Sequence, residues 1–170
     1  MGDDQAPALA VGVVDARGRA VRAPGLARWL AGVAPRGVRG TVTIALVSDA
    51  RMRVLNLQYR GKDYPTDVLS FPAAPPDRVS AARASAPGSR LRASARHLGD
   101  IVIATGVAAR QAKAEGHAAS IELRVLALHG LLHLAGHDHE TDQGEMRRVE
   151  ARLRKRGGLP GGLIERERAR

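Results

Sequence analysis

The stretch IELRVLALHGLLHLAGHDH, residues 121–139, decides how this chain folds. Ile121, Val125, Leu126, Leu128, Leu131, Leu132 and Leu134 leave almost no polar face, so a helix from about 118 to 135 is predicted as the buried centre of the domain. Within it, His129 and His133 stand four residues apart and therefore on one face, about one turn from each other. Both can direct a ring nitrogen at one ion. His139 comes ten residues after His129, and a helix continuing at about 1.5 Å per residue would carry it roughly 15 Å away. The helix must break. Gly136 permits this, because glycine just past a helix end readily adopts the left-handed conformation that turns the chain back.

That reading makes His129, His133 and His139 the expected metal ligands. His137, four residues after His133, competes for the third place or adds a fourth ligand, and otherwise stands on the substrate side or behind the ligands; Asp138 either orients a histidine ring or caps a turn. The chain has no cysteine, so a metal must be held by His, Asp or Glu. Three neutral imidazoles suit one Zn2+ per chain and leave a fourth position for water, whose pKa zinc lowers to about 7. The spacing is similar to the HExxH pattern of metallopeptidases, in which Glu is the general base. Gly130 stands at that position, so a peptidase mechanism would lack its usual base.

Outward from this helix, the pattern alternates between strands and helices. Residues 9–14 (LAVGVV), 41–48 (TVTIALVS), 66–71 (TDVLSF, stopped by Pro72) and 99–104 (GDIVIA) are predicted strands. Leu26, Trp29, Leu30 and Val33 recur at helical spacing after Pro24, in a helix ending near residues 35–37. Ser48 or Asp49 caps a helix with Met52, Leu55 and Tyr59 on its apolar face and Asn56 and Arg60 together on another. A helix over about 105–115 and a last one starting at Asp142, with Met146, Val149 and Leu153 as its stripe, complete the set. The expected fold is a single α/β domain with a small mixed four-stranded sheet and about five helices. Residues 73–98, rich in Ala, Arg, Ser and Pro, are read as a mobile insertion, and residues 157–170 as a basic flexible tail.

The net charge is +10, nearly all from arginine, since lysine occurs only at Lys62, Lys113 and Lys155. This favours a polyanionic partner such as nucleic acid, although drift toward Arg and Ala codons would give the same composition. Trp29, Tyr59, Tyr64 and Phe71 are the only aromatics, so a base-stacking platform of the RRM or OB kind is not expected. The acidic start at Asp3 and Asp4, and the lack of an apolar run of roughly 18 residues, point to a soluble cytoplasmic protein with no membrane partner.

Residues 129–139 resemble the signature HGxLHLxGYDH of the YbeY family of bacterial metal-dependent endoribonucleases, with His137 in place of Tyr. A second block resembles NxxYRxxDxPTDVLSFP through Asn56, Tyr59, Arg60, Asp63, Pro65 and residues 66–72, and a third is LGDIVI at 98–103. The blocks follow the family's order over roughly residues 40–156. The resemblance implies a hydrolase domain over residues 1–156, with His129, His133 and His139 as ligands and Arg60 facing the site as its catalytic arginine. A guanidinium there can pair bidentately with a phosphate; the plainer role is a cation at a helix C-terminus. The resemblance further implies single-strand-specific cleavage in 16S rRNA 3′-end maturation and 70S ribosome quality control, with ribosomal RNA, the small ribosomal subunit and its GTPase as partners. The attacking group, water or a ribose hydroxyl, stays open. The rival readings are an assembly factor with a structural metal, and a metallopeptidase.

Overall fold

The computed structural model describes residues 9–74, 96–138 and 140–160. Among these residues, four strands and five helices form one α/β domain. The strands are β1 (Leu9–Asp15), β2 (Gly40–Val47), β3 (Val68–Pro72) and β4 (His97–Ala104). The helices are α1 (Leu26–Val33), α2 (Asp49–Arg60), α3 (Thr105–Ala114), α4 (Ala119–Leu134) and α5 (Glu145–Arg156). The sheet order is β1-β2-β4-β3. β1 and β4 both run parallel to β2, while β3 pairs antiparallel with β4 at the edge, so the sheet is mixed as expected.

Strand alternation divides the core in two. Val42, Ile44, Ile101 and Ile103 point to the face covered by α1, α4 and α5, where they meet Leu30, Leu126, Leu128, Leu131 and Met146. Val47, Leu69, Val102 and Ala104 point to the other face, which Met52 of α2 closes. β4 is buried on both faces, which explains its nearly continuous apolar run. Helix α4 lies in the larger layer with Val125–Leu132 fully or almost fully covered, each large side chain gaining on the order of 1.5–3 kcal/mol from burial.

Several boundaries differ from expectation, each for a physical reason. Pro24 precedes α1 instead of entering its first turn, because Gly25 at φ 76° forms the N-cap. Helix α5 starts at Glu145: Asp142 accepts from the N–H groups of Gly144 (2.7 Å) and Met146 (2.6 Å), so it caps from outside the helix. His97 and Leu98, assigned above to the insertion, are the first residues of β4, where Thr41 pairs with His97. Residues 75–95 of that insertion lie outside the described residues. The start of the expected tail is anchored: Leu159 packs against the core, and the Gly157 carbonyl accepts from Trp29 Nε1 at 2.9 Å. Residues 161–170 lie outside the described residues.

Helix α2 matters most for the site, since it ends on Arg60. Ser48 accepts from the Arg51 N–H (3.2 Å), a standard N-cap. Asp49 then reaches across to α3, accepting from Val107 N–H (3.0 Å) and Arg110 (2.8 Å). A Cβ at Gly106 would collide with this carboxylate, so the bridge requires glycine there. Burial pushes the Asp49 carboxyl up, but the Arg110 guanidinium and the Val107 and Gly106 N–H groups outweigh it and hold it below the ordinary Asp value of 3.8. A depressed carboxyl stabilises the fold above its unfolded pKa, and that stability is lost as pH falls through the folded value. Asp49→Asn is therefore expected to cost about 1 kcal/mol near pH 7, with the gap to wild type closing in acid below pH 3.8. Paired thermal melts across that range check this; a gap that persists in acid would assign the loss to shape instead of charge.

Candidate active site

One cleft of about 510 Å³ opens between the C-terminal end of α2, strand β3 and the end of α4. Its lining includes Arg60, Thr66, Asp67, Ser70, His129, His133, His137, Asp138 and Glu140. Predicted site residues from two separate stretches of sequence, Arg60 on one and His129, His133, His137 and Asp138 on the other, thus meet in one place.

The helical pair behaves as its spacing requires. His129 and His133 face each other with ring centroids 4.7 Å apart and Nε2 atoms 3.1 Å apart. His129 is buried at 4% exposure, and its other nitrogen, Nδ1, lies 3.2 Å from Glu150 Oε1 on α5. A carboxylate accepts, so Nδ1 carries the proton and Nε2 presents its lone pair toward His133. Two Nε2 atoms ligating one zinc tetrahedrally, at about 2.0–2.1 Å each, would stand roughly 3.3–3.4 Å apart. The observed pair is within a few tenths of that spacing, and a carboxylate behind one ring is the usual support of a ligating histidine. The donor set therefore fits a zinc-type ion. Among the described residues no group of three metal-ligating side chains occurs. His139, the third expected ligand, lies outside the described residues.

Gly136 takes φ 92°, and its N–H donates to His133 O while that of His137 donates to Leu132 O, closing α4 as the sequence suggested. His137 is half-buried and lines the cleft. Asp138 also lines it, but its carboxylate accepts from Glu140 N–H and Thr141 Oγ1, both at 3.0 Å. It holds the turn that leads to α5.

Arg60 is exposed at the cleft wall and makes no ion pair or side-chain hydrogen bond with any described residue. Its expected companion Asn56 does something different. Asn56 is fully buried, and its Nδ2 donates to the Tyr64 carbonyl at 2.7 Å, tying the loop after α2 back to the helix. Tyr59, expected on the apolar face, is 59% exposed and touches Phe71 edge-on at 4.9 Å. Asp67 of the same loop accepts from Val68 N–H (2.8 Å) and Gln111 Nε2 (2.9 Å), which fixes the entry to β3.

Glu150 and Asp67 were not found by sequence reasoning. Glu150 had a signal: it sits four residues after Met146 and three before Leu153, a carboxylate on an apolar stripe and 1% exposed in the fold. Asp67 had its place in the TDVLSFP block at 66–72, but nothing in that block singled it out as a site residue.

Gly130 explains itself by packing. A Cβ there would lie 2.7 Å from Ile101 Cγ2 and 3.1 Å from Ser70 Oγ, and the Gly130 carbonyl accepts from that same hydroxyl at 3.2 Å. The position is pressed against the sheet. Gly130→Ala is expected to lower the melting temperature by a few degrees. Overpacking costs about 1–3 kcal/mol, while the helix gains about 1 kcal/mol from losing a glycine. A variant melting at or above wild type would contradict the contact.

Comparison with known proteins places the chain in a family. The family model described as endoribonuclease YbeY matches residues 30–157. A Koribacter versatilis protein named endoribonuclease YbeY is 44% identical over 130 residues, 76% of this chain and 73% of that one. A Solibacter usitatus protein of the same name is 45% identical over 121 residues, 71% of this chain and 69% of that one. A Thermotoga maritima solution structure shares the fold at a TM-score of 0.50 and 23% identity, covering 86% of this chain and 88% of its own. No helix among the described residues is long and apolar enough to cross a membrane. With its cleft built from the matched segment, the chain belongs to the endoribonuclease YbeY family.

Proposed function

We propose that this chain is a zinc-dependent endoribonuclease that cuts single-stranded RNA, with His129, His133 and His139 holding one ion and Arg60 holding the scissile phosphate. The observation that carries the proposal is the His129–His133 pair, its Nε2 atoms 3.1 Å apart, in the same cleft as an arginine whose side chain is unpaired among the described residues. Held by these histidines, zinc would supply Lewis-acid activation of a water or ribose hydroxyl at neutral pH. The protein's own groups do the rest. Glu150 fixes the tautomer of His129, and the α4 scaffold keeps the two imidazoles at ligating distance without rearrangement. The Arg60 guanidinium pairs with two phosphate oxygens and stabilises negative charge that grows on them during cleavage. His137 and Asp138 border the substrate path, Asp138 by shaping the turn.

Family membership supports the cellular reading: 16S rRNA processing at its 3′ end and 70S ribosome quality control in the cytoplasm, with ribosomal RNA, the small subunit and its GTPase as partners. The net charge of +10 suits such partners.

Parallel assays on a single-stranded oligoribonucleotide and on a peptide test the proposal, each with zinc-loaded and chelated protein purified free of host nucleases. Zinc-dependent RNA cleavage with the peptide intact is the expected result. Metal-dependent peptide cleavage, or RNA cleavage indifferent to the chelator, would overturn it.

A further inference from the structure

All the large hydrophobics that stand exposed among the described residues fall within one short stretch, residues 54–64. They are Val54 (51%), Leu57 (49%), Tyr59 (59%) and Tyr64 (53%). Tyr59 and Tyr64 are the chain's only tyrosines and half of its aromatic residues. Tyr59 immediately precedes Arg60, and Tyr64 stands two residues before Thr66; Arg60 and Thr66 both line the cleft. Val54, Leu57 and Arg60 follow at i, i+3 and i+6, so the apolar strip on α2 runs toward the guanidinium. The loop is not loose. Asn56 Nδ2 clamps the Tyr64 carbonyl, Arg53 pairs with Asp63 at 2.7 Å, and Phe71 buttresses the Tyr59 ring. Rings held outward by a fixed scaffold are poorly explained as core, which would bury them.

We infer that Tyr59 and Tyr64 are stacking surfaces for unpaired bases of the RNA beside the phosphate that Arg60 holds. This rests on the endoribonuclease reading above and assigns part of its preference for single strands to the rings. A base can stack on a side chain only when it has left its own helix, so a duplex offers these rings nothing. Charge favours RNA over a protein partner as the occupant: exposed Arg51, Arg60 and Lys62 surround the strip, and none of them is paired with an acidic side chain among the described residues. Two rings beside a guanidinium differ from the sheet-mounted platforms that the aromatic content argues against.

The test measures binding and cleavage of a short oligoadenylate by full-length wild type, Tyr59→Ala, Tyr59→Phe and Tyr64→Ala, with thermal melts of each. Stacking of one base is expected to make either alanine variant bind about 5- to 150-fold more weakly, seen in KM with kcat retained. Tyr59→Phe should bind as wild type does. A fluorescent adenine analogue in the strand should be quenched by wild type and less so by the alanine variants. Because Tyr59 also touches Phe71, Tyr64→Ala guards against a loss caused by misfolding. Unchanged affinity in both alanine variants overturns the inference, as does a Phe variant as weak as Ala. Normal affinity for naked RNA with lost binding to small ribosomal subunits also overturns it and marks the strip as a protein contact. In either case intact wild-type cleavage leaves the endoribonuclease reading standing. A wild type that neither binds nor cuts the strand removes both.

Discussion

His133→Ala is expected to bring RNA cleavage down to the level of chelated wild type while leaving RNA binding nearly intact. The loss should exceed the roughly 10–100-fold typical of removing a group that only supports a ligand. His133 is half-buried near the open end of α4, so its truncation disturbs the core little. His129→Ala is a poorer probe, since it also strands the buried Glu150 without its partner. Metal content should fall below one ion per chain in parallel with activity. A His133→Ala protein that cuts as fast as wild type would sink the metal assignment and point to a contaminating nuclease.

Arg60→Glu is expected to lower single-turnover cleavage by about 10²–10³-fold, the usual cost of losing one pre-aimed donor at a developing anion, with weaker binding added by charge reversal. Metal content should not change, because Arg60 belongs to a different helix from the histidine pair and an arginine side chain is not a zinc ligand. The fold should also hold, as the Arg60 side chain is exposed and makes no ion pair or hydrogen bond with any described residue. Stability and metal loading equal to wild type, with cleavage lost, separates a phosphate-binding role from that of a helix-end cation. Unchanged cleavage would leave only the latter.

Most of the fold was legible because burial leaves periodic marks. β2 and β4 announced themselves through β-branched and apolar runs, and α4 through an apolar circumference with its stop at Gly136. The histidine pair was legible for the same reason, since a spacing of four on a helix is a distance in space. What sequence reading misplaced depends on partners far along the chain. Tyr59 has helical spacing with Met52 and Leu55, yet Phe71 of β3 meets its ring only edge-on, and the ring stays mostly outside. Asn56 shares its helix with Arg60 but is drawn inward by a carbonyl eight residues on. Glu150 carries a charge into the core because a histidine on another helix receives it, and no local pattern reports such a pairing.

Gly130 has a meaning beyond its contact with the sheet. A helix bearing two histidines four apart is shared ground for more than one kind of metal hydrolase, and the side chain between them often decides which. Here the choice lies with Ile101, a residue at the centre of the sheet with no part in the chemistry. A carboxylate at position 130 would have to displace that isoleucine and the Ser70 hydroxyl before it could serve as a base. Crossing from phosphodiester to peptide chemistry on this scaffold therefore demands several concerted core changes. The reaction a descendant of this chain can acquire is bounded by how closely a helix sits on a strand.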